Sequence, residues 1–175
     1  SNNIGYLLAF HLARFAGLRI HECFRIDTAI ARQAIREHAI TFKGKGGKIR
    51  TVPINQHIIL AMKKCLETTP TGSKLLVPDD VPTDKSIHQL QQFIIRHRDE
   101  VQDPNSDRPL TFHGLRHTYV THYYIKHKND PDFDLATFSK SIGHSSIRTT
   151  MEIYAHLDMT QNRFVQRSME DLKDF

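Results

Sequence analysis

A single stretch, Lys43-Gly44-Lys45-Gly46-Gly47-Lys48, constrains the fold more than any other part of this chain. It holds three of the eight glycines, and the runs on either side, Ala39 to Phe42 and Ile49 to Ile54, are rich in β-branched and aromatic residues. Such runs around a glycine-rich turn read as a β-hairpin with a basic tip. Elsewhere apolar residues recur at helical spacing. Ile4, Leu7, Leu8, Leu12 and Phe15 predict a helix over 4–16 with Gly17 as its stop, leaving Arg19 at the turn into the next helix. Asn55 is placed to cap a helix bearing Ile58, Ile59, Met62 and Leu66, ended by the breakers Thr68-Thr69-Pro70-Thr71-Gly72. Ser86 with Gln89 has the pattern of a capping box ahead of Ile87, Leu90, Ile94 and Val101, and Asp103 to Asp107 reads as a loop. A helix over 111–125, another from an Asp134 cap to Gly143, and a capping box at Thr149 and Glu152 follow. The expected fold class is mainly α with a small antiparallel β-sheet, an α+β arrangement.

Composition sets the bounds. At 175 residues, 39% hydrophobic and 25% charged, the chain fits one soluble domain over 1–175 with its own core. No run approaches the ~18 consecutive apolar residues of a membrane span. The N-terminus has no signal-peptide pattern, so a cytoplasmic protein without a membrane partner is expected. Cys23 and Cys65 lack the spacing of a metal or redox pair and read as free thiols. The net charge of +5 is unevenly placed: residues 1–65 carry eleven Lys and Arg against Glu22, Asp27 and Glu37, or +8, and the rest carries thirteen against sixteen, or −3. That asymmetry favours a polyanion partner, because neutralising phosphates releases counterions.

Three further segments carry chemistry: Gly17-Leu18-Arg19-Ile20-His21-Glu22, then His113-Gly114-Leu115-Arg116-His117, then Gly143-His144 with Tyr154 ten positions after His144. Arginine forks suit phosphate oxygens, histidines move protons, and a tyrosine hydroxyl can serve as a covalent nucleophile. The set suits attack on a phosphodiester without a metal ion. His113 and Arg116, three apart, share a helix face. Tyr119, Tyr123 and Tyr124 follow the second segment and are expected in the core.

In this order the segments resemble the active-site boxes of the tyrosine recombinase (phage integrase) family, over about residues 5–157. The resemblance implies the catalytic-domain fold of that family. It also implies a site-specific DNA recombinase or integrase of a mobile element, working through a 3′-phosphotyrosine intermediate with no cofactor, metal or ATP. By resemblance Arg19 and Arg116 hold the scissile phosphate, Tyr154 attacks it, and His144 donates to a nonbridging oxygen. His113 accepts a proton or contacts phosphate, and Lys45 protonates the leaving 5′ oxygen. Lys43, Lys48 and Arg50 are the expected DNA backbone contacts, Glu22 is expected to orient Arg19, and His117 to support the box. The partners implied are double-stranded DNA and further copies of the protein, a tetramer on paired sites. Family members carry a core-binding domain ahead of this one, so the chain is expected to be the C-terminal part of a longer recombinase. In residues 158–175, Asp158 can cap a helical tail whose Val165, Met169 and Leu172 form one stripe, docking in cis or on a neighbouring protomer.

Three rivals stand beside this reading. A type IB topoisomerase shares the chemistry, a noncatalytic DNA-binding module would share the charge, and His113, His117 and His122 raise a metal enzyme, although no HExxH-type motif accompanies them.

Overall fold

The computed structural model describes residues 2–43, 49–102 and 109–143, with side chains from Ile4 onward. The chain divides into two compact units, residues 1–126 and 127–175.

In the first unit, α1 (Asn2–Ala16) buries Leu8, Leu12 and Ala13 completely. Each leucine removed from water contributes roughly 1.5–3 kcal/mol. Gly17 ends the helix as expected: it is left-handed, φ 63°, and its N–H donates to Ala13 O at 3.2 Å. Arg19 then stands at the N-terminus of the four-residue α2 (Ile20–Cys23). Asp27 caps α3 (Thr28–Glu37), its carboxylate accepting from Ile30 N at 2.8 Å.

The expected hairpin is present as β1 (Ala39–Lys43) and β2 (Ile49–Pro53), antiparallel, with Ala39 opposite Pro53 and Lys43 opposite Ile49. Its tip, 44–48, lies outside the described residues. Asn55 caps α4 (Gln56–Thr68) through Ile58 N at 3.1 Å, and that helix buries Ile58, Ile59 and Met62. α1 packs along α4, and α3 packs on β1. The segment after α4 is stitched to the α2–α3 corner by Gly72 N to Thr28 Oγ1, 2.8 Å, and Leu75 N to Ile26 O, 2.9 Å.

α5 (Thr83–Val101) corrects one expectation. Ser86 does not cap it: the helix starts three residues earlier, after Pro82, and Ser86 is an interior position with its side chain turned into the core, 4% exposed. Pro82 fixes the backbone entry to the helix, and Ser86 N already bonds Pro82 O. α6 (Phe112–His127) is capped by Thr111, whose hydroxyl accepts from Gly114 N at 3.0 Å. Phe112, Arg116 and Val120 make its buried stripe. Tyr119 is half-buried, but Tyr123, expected in the core, is 37% exposed because it lies off that stripe.

In the second unit the described part is a turn and α7 (Leu135–Ser141). Asp134 caps it through Ala136 N and Thr137 N, and left-handed Gly143, φ 74°, follows its end. The rings of Phe133 and Phe138 pack with centroids 5.7 Å apart.

Candidate active site

The site grows from the turn between α1 and α2. Gly17 reverses the chain, and the Gly17 carbonyl accepts a hydrogen bond from Arg116 Nη1 on α6. Two residues on, Arg19 is the N-cap of α2. Glu22, in the first turn of that helix, reaches back so that its Oε2 accepts from Arg19 N at 2.7 Å.

The Glu22 carboxylate is also where three arginines meet. Its Oε1 lies 2.6 Å from Arg50 Nη1 and 3.9 Å from Arg19 Nη1, and its Oε2 lies 4.0 Å from Arg116 Nη1. The three differ in exposure: the Arg19 side chain is 42% open to solvent, Arg50 14% and Arg116 3%. Burial, then repulsion from Arg19, pulls the Arg116 guanidinium down to about 10, and Glu22 works against the fall. It remains charged at neutral pH. Burial likewise lowers Arg50, offset mainly by Glu22.

A cleft of about 620 Å³ opens beside this cluster, with Arg19, His113 and Arg116 on one side and His88, Gln91 and Arg98 of α5 on the other. The His113 imidazole is held below its ordinary value by partial burial and then by the charges of Arg116 and Arg19, so it is neutral at pH 7 and able to accept a proton. His117 stacks edge-on against it, with ring centroids 4.7 Å apart. Two forked cations and a neutral imidazole lining one cleft can bind a phosphodiester and take up a proton.

Of the residues singled out in the sequence, Arg19, His113 and Arg116 therefore line one cleft. Lys43 is exposed at the end of β1. Arg50, expected among the DNA backbone contacts, instead has its guanidinium inside the protein, paired with Glu22. Lys45, Lys48, His144 and Tyr154 lie outside the described residues, as do Thr149, Glu152 and the 158–175 tail. Among the described residues, no group of three or more His, Cys, Asp or Glu is gathered for a metal ion, and no helix is long and apolar enough to cross a membrane.

Two features went unread in the sequence: the pairing of Glu22 with Arg50, and the Gly17 carbonyl as the acceptor for Arg116. The first had a signal. Along β2, Ile49 is 68% exposed and Val52 is 4% exposed, so the strand's two-residue alternation puts Arg50 on the inner face with Val52.

The chain is similar to several known proteins. The structure resembles that of the XerA recombinase, with a TM-score of 0.61 at 20% identity over 95% of this chain and 64% of that one. It also resembles the Tn1549 transposon integrase in complex with circular intermediate DNA, TM-score 0.62 at 14% identity over 88% and 58%. These likenesses establish the fold. In sequence, the chain is 31% identical over 152 residues to tyrosine recombinase XerC of Caldanaerobacter subterraneus subsp. tengcongensis, covering 84% of this chain and 40% of the relative. It is 25% identical over 176 residues to tyrosine recombinase XerH of Campylobacter jejuni, covering 99% and 47%. The chain thus spans less than half the length of these relatives. The family model of the phage integrases matches residues 1–161, and with the XerC likeness this means that the chain belongs to the phage integrase family.

Proposed function

We propose that this chain is the catalytic part of a site-specific DNA recombinase that cuts and rejoins strands through a covalent tyrosine intermediate. The observation that carries the reading is the convergence of Arg19 and Arg116 on Glu22 beside neutral His113, at the rim of one cleft. The scissile phosphate binds there. Arg19 and Arg116 match the charge that builds on its nonbridging oxygens, with His144 donating a further hydrogen bond, in the way metal ions serve many nucleases. Tyr154 Oη attacks phosphorus, with His113 as the candidate proton acceptor, and the bond to the 5′ oxygen breaks. Lys45 gives that oxygen its proton, leaving a 3′-phosphotyrosine and a free 5′ hydroxyl. A 5′ hydroxyl from a partner duplex then reverses the attack with strands exchanged. The phosphodiester energy stays in the intermediate, so no ATP is consumed.

The wider protein follows from the same reading. The chain acts as the catalytic half of a clamp on double-stranded DNA, with a core-binding domain supplying the other half, and protomers assemble as a tetramer on paired sites in the cytoplasm. A mobile element is the natural carrier, in line with the likeness to a transposon integrase. A pool of nicked duplexes of randomised sequence tests the reading and finds the target at the same time. The full-length protein is incubated with the pool and denatured, the DNA that stays protein-linked is sequenced, and the linked peptide is identified by mass spectrometry. Enriched DNA linked at Tyr154, and lost in Tyr154→Phe, is expected. No linkage, or linkage at another residue, overturns the assignment.

A further inference from the structure

Arg50 sits in the wrong place for a strand residue chosen by packing. It lies on the inner face of β2 opposite Phe42, with its guanidinium carbon 5.9 Å from the Phe42 ring centre. Its Nη1 holds Glu22 Oε1 at 2.6 Å, while its Nε and Nη2 are buried with no hydrogen-bond partner among the described residues. A buried guanidinium with two unanswered nitrogens is costly, and an apolar residue of similar volume would pack there at least as well. Stability therefore does not account for the charge.

The surroundings do. Glu22 orients Arg19 through its backbone and lies within 4.0 Å of Arg116, yet it puts a negative charge beside the place where a phosphate binds. Alone, that carboxylate would cancel one of the two arginine charges the phosphate needs. Among the described residues Arg50 is much the nearest cation to it, at 2.6 Å against 3.9 and 4.0 Å. Among the described residues, three guanidinium charges against one carboxylate leave +2 around Glu22, which matches a phosphodiester whose charge rises from −1 toward −2 as a nucleophile adds. Without Arg50 the balance falls to +1.

We infer that Arg50 is a positioning residue, the dedicated counter-ion of Glu22, which lets that carboxylate orient Arg19 without opposing the phosphate. The role rests on the recombinase reading above. It makes Arg50 necessary only while Glu22 is charged.

The experiment follows from that condition. Full-length wild type, Arg50→Met, Glu22→Gln and the double variant are each given a suicide duplex of the sequence recovered from the randomised pool, and the rate of covalent adduct formation is measured at saturating DNA beside the affinity. Arg50→Met is expected to slow adduct formation at least tenfold while changing affinity less than threefold. In the Glu22→Gln background, the same substitution is expected to change the rate less than threefold. Should Arg50→Met fail to fold, the double variant compared with Glu22→Gln decides by itself, since it leaves no new lone carboxylate. A tenfold further loss in that comparison overturns the counter-ion role. So does an Arg50→Met protein that cleaves at the wild-type rate but binds DNA weakly with a shallower salt dependence, which would make Arg50 a phosphate contact. If wild type itself forms no adduct with any duplex, the recombinase reading fails first; if wild type cleaves and Arg50→Met cleaves equally well, this inference fails alone.

Discussion

Gly17 lies directly against the ring of Tyr119. A Cβ built on Gly17 would fall 2.7 Å from Tyr119 Cε1, and the glycine's φ of 63° is one that other residues adopt only with strain. The same glycine offers its carbonyl to Arg116, so helix ending, ring packing and arginine placement depend on one missing side chain.

Gly17→Ala should therefore cost about 2–4 kcal/mol, from the left-handed backbone and from displacing a packed ring. Gly72 supplies the control. It too has a positive φ, 92°, but nothing lies within 4 Å of its would-be Cβ, so Gly72→Ala should cost only about 1 kcal/mol. Urea unfolding of the two variants checks the difference, and equal losses would mean that the Tyr119 ring yields freely.

The rate of covalent adduct formation should fall in acid as His113 takes up a proton. Burial and the Arg116 and Arg19 charges hold that imidazole below its ordinary value in the DNA-free protein, so at sub-saturating DNA the falling limb should lie on the acid side of an ordinary histidine. The same depression makes the folded chain bind this proton later than the unfolded one. Its contribution to stability is complete above 6.5 and is lost as pH falls through the lower, folded value. Single-turnover rates between pH 5 and 8 at sub-saturating DNA test the point, because they report the free protein. The limb should vanish in His113→Asn, and one that persists belongs to another group.

Lys45→Ala should lose adduct formation on ordinary DNA and regain it on a duplex whose bridging 5′ oxygen is replaced by sulfur, because a thiolate departs without a proton. Rescue of Lys43→Ala or Lys48→Ala instead would move the general acid along the hairpin.

What was legible in the sequence was local. Gly17, Asn55, Asp134 and Gly143 each mark a helix end by backbone chemistry that acts within a few residues, and all four do so in the structure. The hairpin strands were legible for the same reason. The boxes carried the candidate site only as far as Arg19, His113 and Arg116. What holds those residues is tertiary: Arg50 meets Glu22 across 28 positions, and Arg116 meets Gly17 across 99. No short pattern encodes such pairs. Basic neighbours in the hairpin suggest one shared role for Lys43, Lys48 and Arg50, whereas the hairpin register pairs exposed Lys43 with exposed Ile49 and puts Arg50 opposite Phe42, its guanidinium turned inward.

Ser86 failed for the opposite reason, in that a local pattern was present and the chain did not use it. A Ser-x-x-Gln sequence caps a helix only if the backbone before it is not already helical, and here Pro82, Thr83 and Asp84 start the turn first. Ser86 is left inside α5 with a buried hydroxyl that has no hydrogen-bond partner among the described residues. Removing that hydroxyl relieves an unanswered polar group and improves helix propensity, so Ser86→Ala should raise stability by about 1 kcal/mol. Had Ser86 been the cap, the same change would lower stability by about 1 kcal/mol. The sign of the shift in the urea midpoint, at unchanged m-value, thus separates the two arrangements, and a loss would return the start of α5 to Ser86.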